Sequence, residues 1–230
     1  MVTVRVGTKE PKDFHIHKQR LCQYSPFFKG ALDKDWSEAK SNVIELPDDT
    51  VEIFEIYCDW LYNISPFRES ASPSVQHAAQ SLDAFRLEST RYYEAYMFGD
   101  KVLDVAFTDM LIDNLVMHMN SCALYPVFQL FKIFQLSASG HPVRQLLIDV
   151  VLYDGQERWL EKACWNDVDN REAILEITKA LVRQKGKLVN KADAPYLKTN
   201  ICRYHSHTGT DTPCYKTQRG WGWLREQDKA

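Results

Sequence analysis

The chain predicts an α+β fold: a small, mostly N-terminal sheet flanked by helices, followed by a helical C-terminal extension. Three observations lead there. Val2, Val4 and Val6 alternate with Thr3 and Arg5, and Phe14-His-Ile-His17 repeats the alternation beyond Gly7 and a polar connection, the period of half-buried strands joined as a hairpin. Val43-Ile-Glu-Leu46 is a third short strand, stopped by Pro47-Asp-Asp49. Between and behind these runs, apolar residues recur at helical spacing, most clearly at Ile53, Phe54, Tyr57, Trp60 and Leu61.

Each element follows from its residues. After the hairpin, Leu21 and Tyr24 share one helical face. Ser25 is placed to cap a second short helix and Pro26 suits its first position, where a missing N–H costs little. Phe27, Phe28, Ala31 and Leu32 give that helix an apolar surface, so the pair forms a helical corner. Trp36-Ser-Glu-Ala39 leads to the third strand, and Thr50 caps the helix carrying the Ile53-to-Leu61 stripe. A sheet this small needs another layer packed on it.

Composition bounds the rest. The 230 residues are 45% apolar and 26% charged, enough for a substantial core, or for one domain with an extension. A net charge of -3 supplies no electrostatic reason to bind nucleic acid or acidic lipid. Met1-Val-Thr-Val-Arg-Val6 has no signal-peptide character, and no apolar run approaches a membrane span. The expectation is an intracellular protein, cytoplasmic or nuclear, with no membrane, nucleic-acid or small-molecule partner. Cysteines at 22, 58, 122, 164, 202 and 214 are too sparse for a disulfide framework, and Cys22, Cys58 and Cys122 sit among apolar residues as small buried thiols.

Phe14-His-Ile-His-Lys18, Leu21-Cys22, Ser25-Pro-Phe-Phe28, Ala31-Leu32, Trp36-Ser-Glu38, Ile44-Glu-Leu-Pro47, Phe54 and Trp60-Leu-Tyr62 form an ordered series that resembles the BTB/POZ family, in its fungal type. The detailed resemblance covers residues 2 to 62 and continues more loosely through helices near 90 to 120. It implies a BTB/POZ-like domain over residues 1–120, with a loop insertion at about 63–88 where Ser65-Pro-Phe-Arg-Glu-Ser-Ala-Ser-Pro-Ser74 is polar and turn-rich. Beyond the loop, Tyr92 to Leu103 is the next helix and Ala106 to Met119 its neighbour, with Phe107, Met110, Leu111 and Val116 as core.

Residues 121–185 are expected to be a helical extension packed on the core. Tyr125–Phe134 is the first helix, with Pro126 tolerated near its start. Ser137-Ala-Ser-Gly140 breaks the chain before a second helix over Pro142–Tyr153. Asp169 is a candidate cap for a third, whose apolar face is Ala173, Ile174, Ile177, Ala180 and Leu181. Arg183-Gln-Lys-Gly-Lys187 and Lys191 read as a solvated, dipole-complementing helix end. Residues 186–230 form an irregular tail containing cysteine and histidine.

That tail holds the strongest chemical cluster: Cys202, His205, His207 and Cys214, spaced Cys-x2-His-x-His-x6-Cys. Two thiols and two imidazoles match the donor set of a tetrahedral zinc site, although histidines one residue apart need a special loop to converge. The same residues also read as an exposed or locally packed tail, and Cys202 and Cys214 as neighbouring thiols that an intracellular compartment keeps reduced. Similar tails occur among fungal BTB-like proteins. Zinc therefore stays one reading of the tail, and no residue is assigned as a metal ligand.

Other pairs read as structural. His15 and His17 share a side of an extended strand, but no acid or thiol completes them as a metal pair; the resemblance makes His17 and Lys18 junction residues. Asp48 and Asp49 favour the positive end of the following helix. Cys22 beside His17 has the form of a nucleophile with a base, but its apolar setting favours burial. With no Gly-rich phosphate loop and no Gly-x-Ser-x-Gly elbow, no catalytic or cofactor-binding residue is assigned and no enzyme is expected. The resemblance implies a protein-interaction module acting by homo- or hetero-oligomerisation. Its alternatives are a substrate adaptor for a cullin-3 ubiquitin ligase and a zinc-stabilised interaction protein. Many BTB-like dimers pack an additional N-terminal strand and helix. On a complete chain that begins at Val2-Thr-Val-Arg-Val6, a monomer or an atypical dimer stays open beside the homodimer, and the lack of a kelch-like repeat argues against the adaptor.

Overall fold

Alternation in Val2–Val6 (β1) sends Val2, Val4 and Val6 to one side, where all three are buried. Gly7, at φ 87°, turns the chain in a left-handed conformation that suits a residue without a side chain, and Lys12–Ile16 (β2) returns antiparallel to β1. Val43–Leu46 (β3) lies parallel to β1 on its other edge, giving a three-stranded mixed sheet of order β2-β1-β3. The computed structural model describes residues 1–33, 41–62, 82–160, 170–198, 201–208 and 213–217.

The helical corner forms as its residues dictate: Lys18–Tyr24 (α1) and Pro26–Ala31 (α2) meet at Ser25. The Ser25 hydroxyl accepts from the Phe28 N–H at 3.2 Å and donates to the Val102 carbonyl at 2.5 Å, fully buried. One side chain thus caps α2 and satisfies a second backbone group. Ser25→Ala should therefore cost about 2 kcal/mol, more than a typical exposed cap, read as a lower urea midpoint with an unchanged slope.

Thr50 caps Val51–Leu61 (α3) through Ile53. Ile53, Phe54, Ile56, Tyr57, Trp60 and Leu61 are buried, the face expected from their spacing with Ile56 added. Phe14 of β2 meets Phe54 edge-on at 4.8 Å, and Tyr57 packs against Phe98 and Phe107 at 5.2 and 5.0 Å. Such edge-to-face pairs add to plain area burial.

Leu82–Lys101 (α4) begins well before the Tyr92 expected from sequence, so residues 82–88, assigned to the inserted loop, are helical. The remainder of that loop and the Trp36-Ser-Glu-Ala39 segment lie outside the described residues, as do Cys164 and Asp169. Phe85, Ser89 and Tyr92 are buried on the early turns of α4, which explains the earlier start: the apolar spacing extends further back than the tyrosines. Val105–Cys122 (α5) follows, with Phe107, Met110, Leu111 and Val116 buried as expected.

The long helical region continues with Val127–Leu136 (α6), preceded by Pro126 at its N-cap, and Arg144–Asp154 (α7). Ser137 ends α6, and Gly140 takes a positive φ of 79° in the break between them. A short turn, Glu157–Leu160 (α8), precedes Arg171–Gln184 (α9), whose N-cap is Asn170. Of the five residues expected on the α9 apolar face only Ala173 and Ile177 are buried, and Leu181 is exposed. Helices α6, α7 and α9 pack on one another. Among the described residues after α9, single 3-10 turns form at Lys191–Asp193, Pro195–Leu197, Cys202–Tyr204 and Tyr215–Thr217. Two of them, Pro195–Leu197 and Cys202–Tyr204, pack on α7.

Contacts group the chain into two compact units. The first comprises Met1–Ala79, Glu94–Leu111 and Tyr215–Ala230, and contains the sheet; the second comprises Gln80–Tyr93 and Ile112–Cys214. Among the described residues no helix is long and apolar enough to cross a membrane.

Candidate functional site

In the second unit, Cys202, His205, His207 and Cys214 converge. Each offers one ligand atom, and these atoms all lie within 4.8 Å of one another. The loop that brings them together is built from backbone geometry. Cys202–Tyr204 makes one 3-10 turn, closed by the His205 N–H donating to the Cys202 carbonyl at 2.9 Å. The chain then doubles back: the Thr208 N–H donates to the His205 carbonyl at 3.1 Å, and the Thr208 hydroxyl donates to the Cys202 carbonyl. The two imidazoles come to 5.1 Å between ring centres at 62°. Cys214 completes the group, with Sγ 3.9 Å from Sγ of Cys202 and 3.9 Å from Nδ1 of His205. The two thiols are not disulfide-bonded.

His205 is fully buried, and its Nε2 lies 2.8 Å from Oδ1 of Asp113 on α5, whose side chain is 4% exposed. An ionised carboxylate there places the ring proton on Nε2 and leaves the Nδ1 lone pair facing Cys214. Neighbouring contacts hold the loop. The Tyr204 hydroxyl donates to Asp149 of α7 at 2.8 Å, and Arg203 pairs with the same carboxylate oxygen at 3.3 Å. Burial pushes the Asp149 carboxyl above its ordinary range, against hydrogen bonds from Gln145 and Tyr204 and the charge of Arg203. Burial, reinforced by that carboxylate, also raises the Tyr204 phenol, which stays a donor. Upstream, Tyr125 and Tyr196 both donate to Asp154, and Lys191 pairs with it.

The remaining candidates come apart. His15 lies beside Thr3 of β1, its Nδ1 3.1 Å from the hydroxyl, whereas His17 falls beyond the end of β2 at the N-cap position of α1, where its side chain makes no capping hydrogen bond. Its backbone N–H donates to the Tyr62 hydroxyl at 3.3 Å, and its Nδ1 lies 2.8 Å from the same oxygen. The two histidines thus have different partners, Thr3 for His15 and Tyr62 for His17. Asp49 pairs with Lys101 at 2.6 Å, and Asp48 is exposed. The Cys22 thiol is raised by burial, against the pull of Lys18 and Lys29, the reverse of an activated nucleophile. An open cleft of about 470 Å³ is lined by His17, Gln19, Arg20, Gln23 and Tyr62, a polar surface with no carboxylate or thiol among these described residues.

Asp113 and Asp149 were missed by sequence reasoning, as was Asp104, which caps α5. Asp113 and Asp149 are carboxylates set in apolar helical segments, Asp104 stands immediately before one, and all three are buried. That interruption of an apolar face was the available signal: an acid at a core position needs a specific donor.

Comparison with known proteins finds the BTB/POZ domain family over residues 2–90. An N-terminal BTB/POZ domain is therefore present, covering β1 to β3, α1 to α3 and the first turns of α4. No curated protein and no solved structure matches the chain.

Proposed function

Starting from the BTB/POZ domain at residues 2–90, we propose that this chain is a non-enzymatic protein-interaction module that acts inside the cell by homo- or hetero-oligomerisation. The observation that carries the reading is the domain itself, since domains of this family are generally scaffolds for assembly. The chemistry supports it: burial shifts the Cys22 thiol away from reactivity, and of the paired acids Asp49 pairs with Lys101 while Asp48 faces solvent. The energy of association would come from a few buried aromatic and aliphatic anchors, and any catalysis would belong to a partner.

Light scattering behind size-exclusion chromatography, run on the full chain across a concentration series, tests self-association. A dimer that persists on dilution is expected; a monomer at every concentration overturns homo-oligomerisation. Affinity purification under mild conditions then tests hetero-oligomerisation, expected as a partner recovered in stoichiometric amount and lost when the domain surface is mutated. Recovery of cullin-3 would favour the ligase-adaptor form of the proposal, and its consistent absence would remove that form.

A further inference from the structure

We infer that Cys202, His205, His207 and Cys214 bind one zinc ion as a closed structural site, with Asp113 orienting His205 from behind. The donor set is the first argument. Two thiolates and two neutral imidazoles suit a borderline-soft ion with no geometric preference of its own, and four protein ligands leave no open position for a substrate. The distances are the second. A tetrahedral zinc with Zn–S near 2.3 Å places its two sulfurs about 3.8 Å apart, and here they stand 3.9 Å apart. A disulfide would instead require about 2.0 Å. The remaining ligand atoms lie within 4.8 Å, so a small inward adjustment of side chains closes the tetrahedron.

Asp113 supplies the third and independent argument. Histidines that ligate metals commonly donate the other ring N–H to a carboxylate, which selects the tautomer and sharpens the ligand. His205 has this arrangement, with Nε2 on buried Asp113 and Nδ1 facing the thiol of Cys214. As the outer partner of a ligand, the buried Asp113 carboxylate fixes the orientation of the His205 imidazole. The ion would thereby join a loop closed by Cys202 and Cys214 to α5 through His205, and the neighbouring Tyr204 bond to Asp149 ties the same loop to α7. This inference does not depend on the interaction reading, and neither fails with the other.

The test uses full-length protein purified without an affinity tag from zinc-supplemented cells. One zinc per chain is expected by mass spectrometry of the metal. Replacement by cobalt should give the visible bands of a tetrahedral ion together with a thiolate-to-cobalt charge-transfer band in the near ultraviolet. Alkylation should spare Cys202 and Cys214 in the zinc form and label both after chelation, while Cys22 reacts equally in the two; this comparison needs no variant to fold. Cys202→Ser and Cys214→Ser should each abolish stoichiometric zinc, with Cys22→Ser as the control that retains it. Asp113→Asn should keep the tetrahedral cobalt spectrum but weaken zinc binding ~10–100-fold in competition with a chelator. Substoichiometric zinc, an octahedral cobalt spectrum, a Cys202–Cys214 disulfide in reduced lysate, or identical alkylation with and without metal would each overturn the site. Unchanged affinity in Asp113→Asn would overturn the orienting role of that residue.

Discussion

Asp104→Ala is expected to lower stability by roughly 3–5 kcal/mol when measured near pH 5, because one carboxyl group serves three buried donors. Its Oδ2 accepts from the Tyr57 hydroxyl and from Nε1 of Trp60, both at 3.1 Å, and its Oδ1 accepts from the Phe107 N–H at 2.9 Å. Alanine leaves two aromatic donors without that acceptor inside the first unit and removes the cap of α5. The same group makes stability depend on pH. Burial raises its pKa from 3.8 to about 7, opposed by the hydrogen bonds from Phe107, Trp60 and Tyr57. Because the folded value lies above the unfolded one, the folded chain retains a proton between these limits that the unfolded chain has released. The contribution of Asp104 to stability is therefore full below the lower value, falls as pH rises through the window, and is level above about 7.

At about 1.4 kcal/mol per pH unit the loss amounts to roughly 4 kcal/mol. Asp104→Asn keeps an acceptor and cannot ionise. Relative to the wild type it should be slightly destabilised near pH 5, gain ground up to about pH 7 and level off beyond. Parallel urea titrations of the two proteins across this range measure the difference directly. A wild-type-minus-variant difference that stays flat with pH would contradict the assignment.

Arg144→Ala should cost roughly 2–4 kcal/mol by loss of a buried guanidinium from its acceptors and its ring. The side chain is only 5% exposed, and it lies 4.4 Å from the centre of the Phe134 ring. Its Nε donates to the Ser137 carbonyl at 3.0 Å, and Nη2 donates to the same oxygen. Nη1 and Nη2 grip the two carboxylate oxygens of Glu172 at 2.7 and 3.2 Å. This single residue of α7 therefore holds the C-terminal end of α6 and the first turn of α9. Lysine retains the charge but has no planar fork, so Arg144→Lys should recover less than half of the loss. Glu172 is half exposed, and Glu172→Gln should shift the urea midpoint far less than either arginine variant.

Local chemistry in the sequence was enough to locate the strands and most helices. Ser25-Pro26, Thr50 and the Ile53-to-Leu61 stripe act within a few residues of one another, so their spacing contains nearly all the information needed. The start of α4 was placed late because the polar, turn-rich stretch ahead of it masked an amphipathic pattern that runs back to Leu82. The outer α9 residues were assigned to a buried face because periodicity identifies an apolar stripe without saying how much of it another helix covers, and here Leu181 stays in solvent.

The tail shows the same division most sharply. Sequence alone determined its donor set: two thiols and two imidazoles within a short segment, chemistry that suits zinc whatever the fold. Only tertiary structure decided that they converge, since that depends on a 3-10 turn at Cys202–Tyr204 and a backbone reversal at Thr208. It also decided that Asp113, 92 residues earlier in the chain, stands behind His205. A ligand's chemistry is written in its own side chain, whereas its orientation is set by whatever the rest of the fold packs against it.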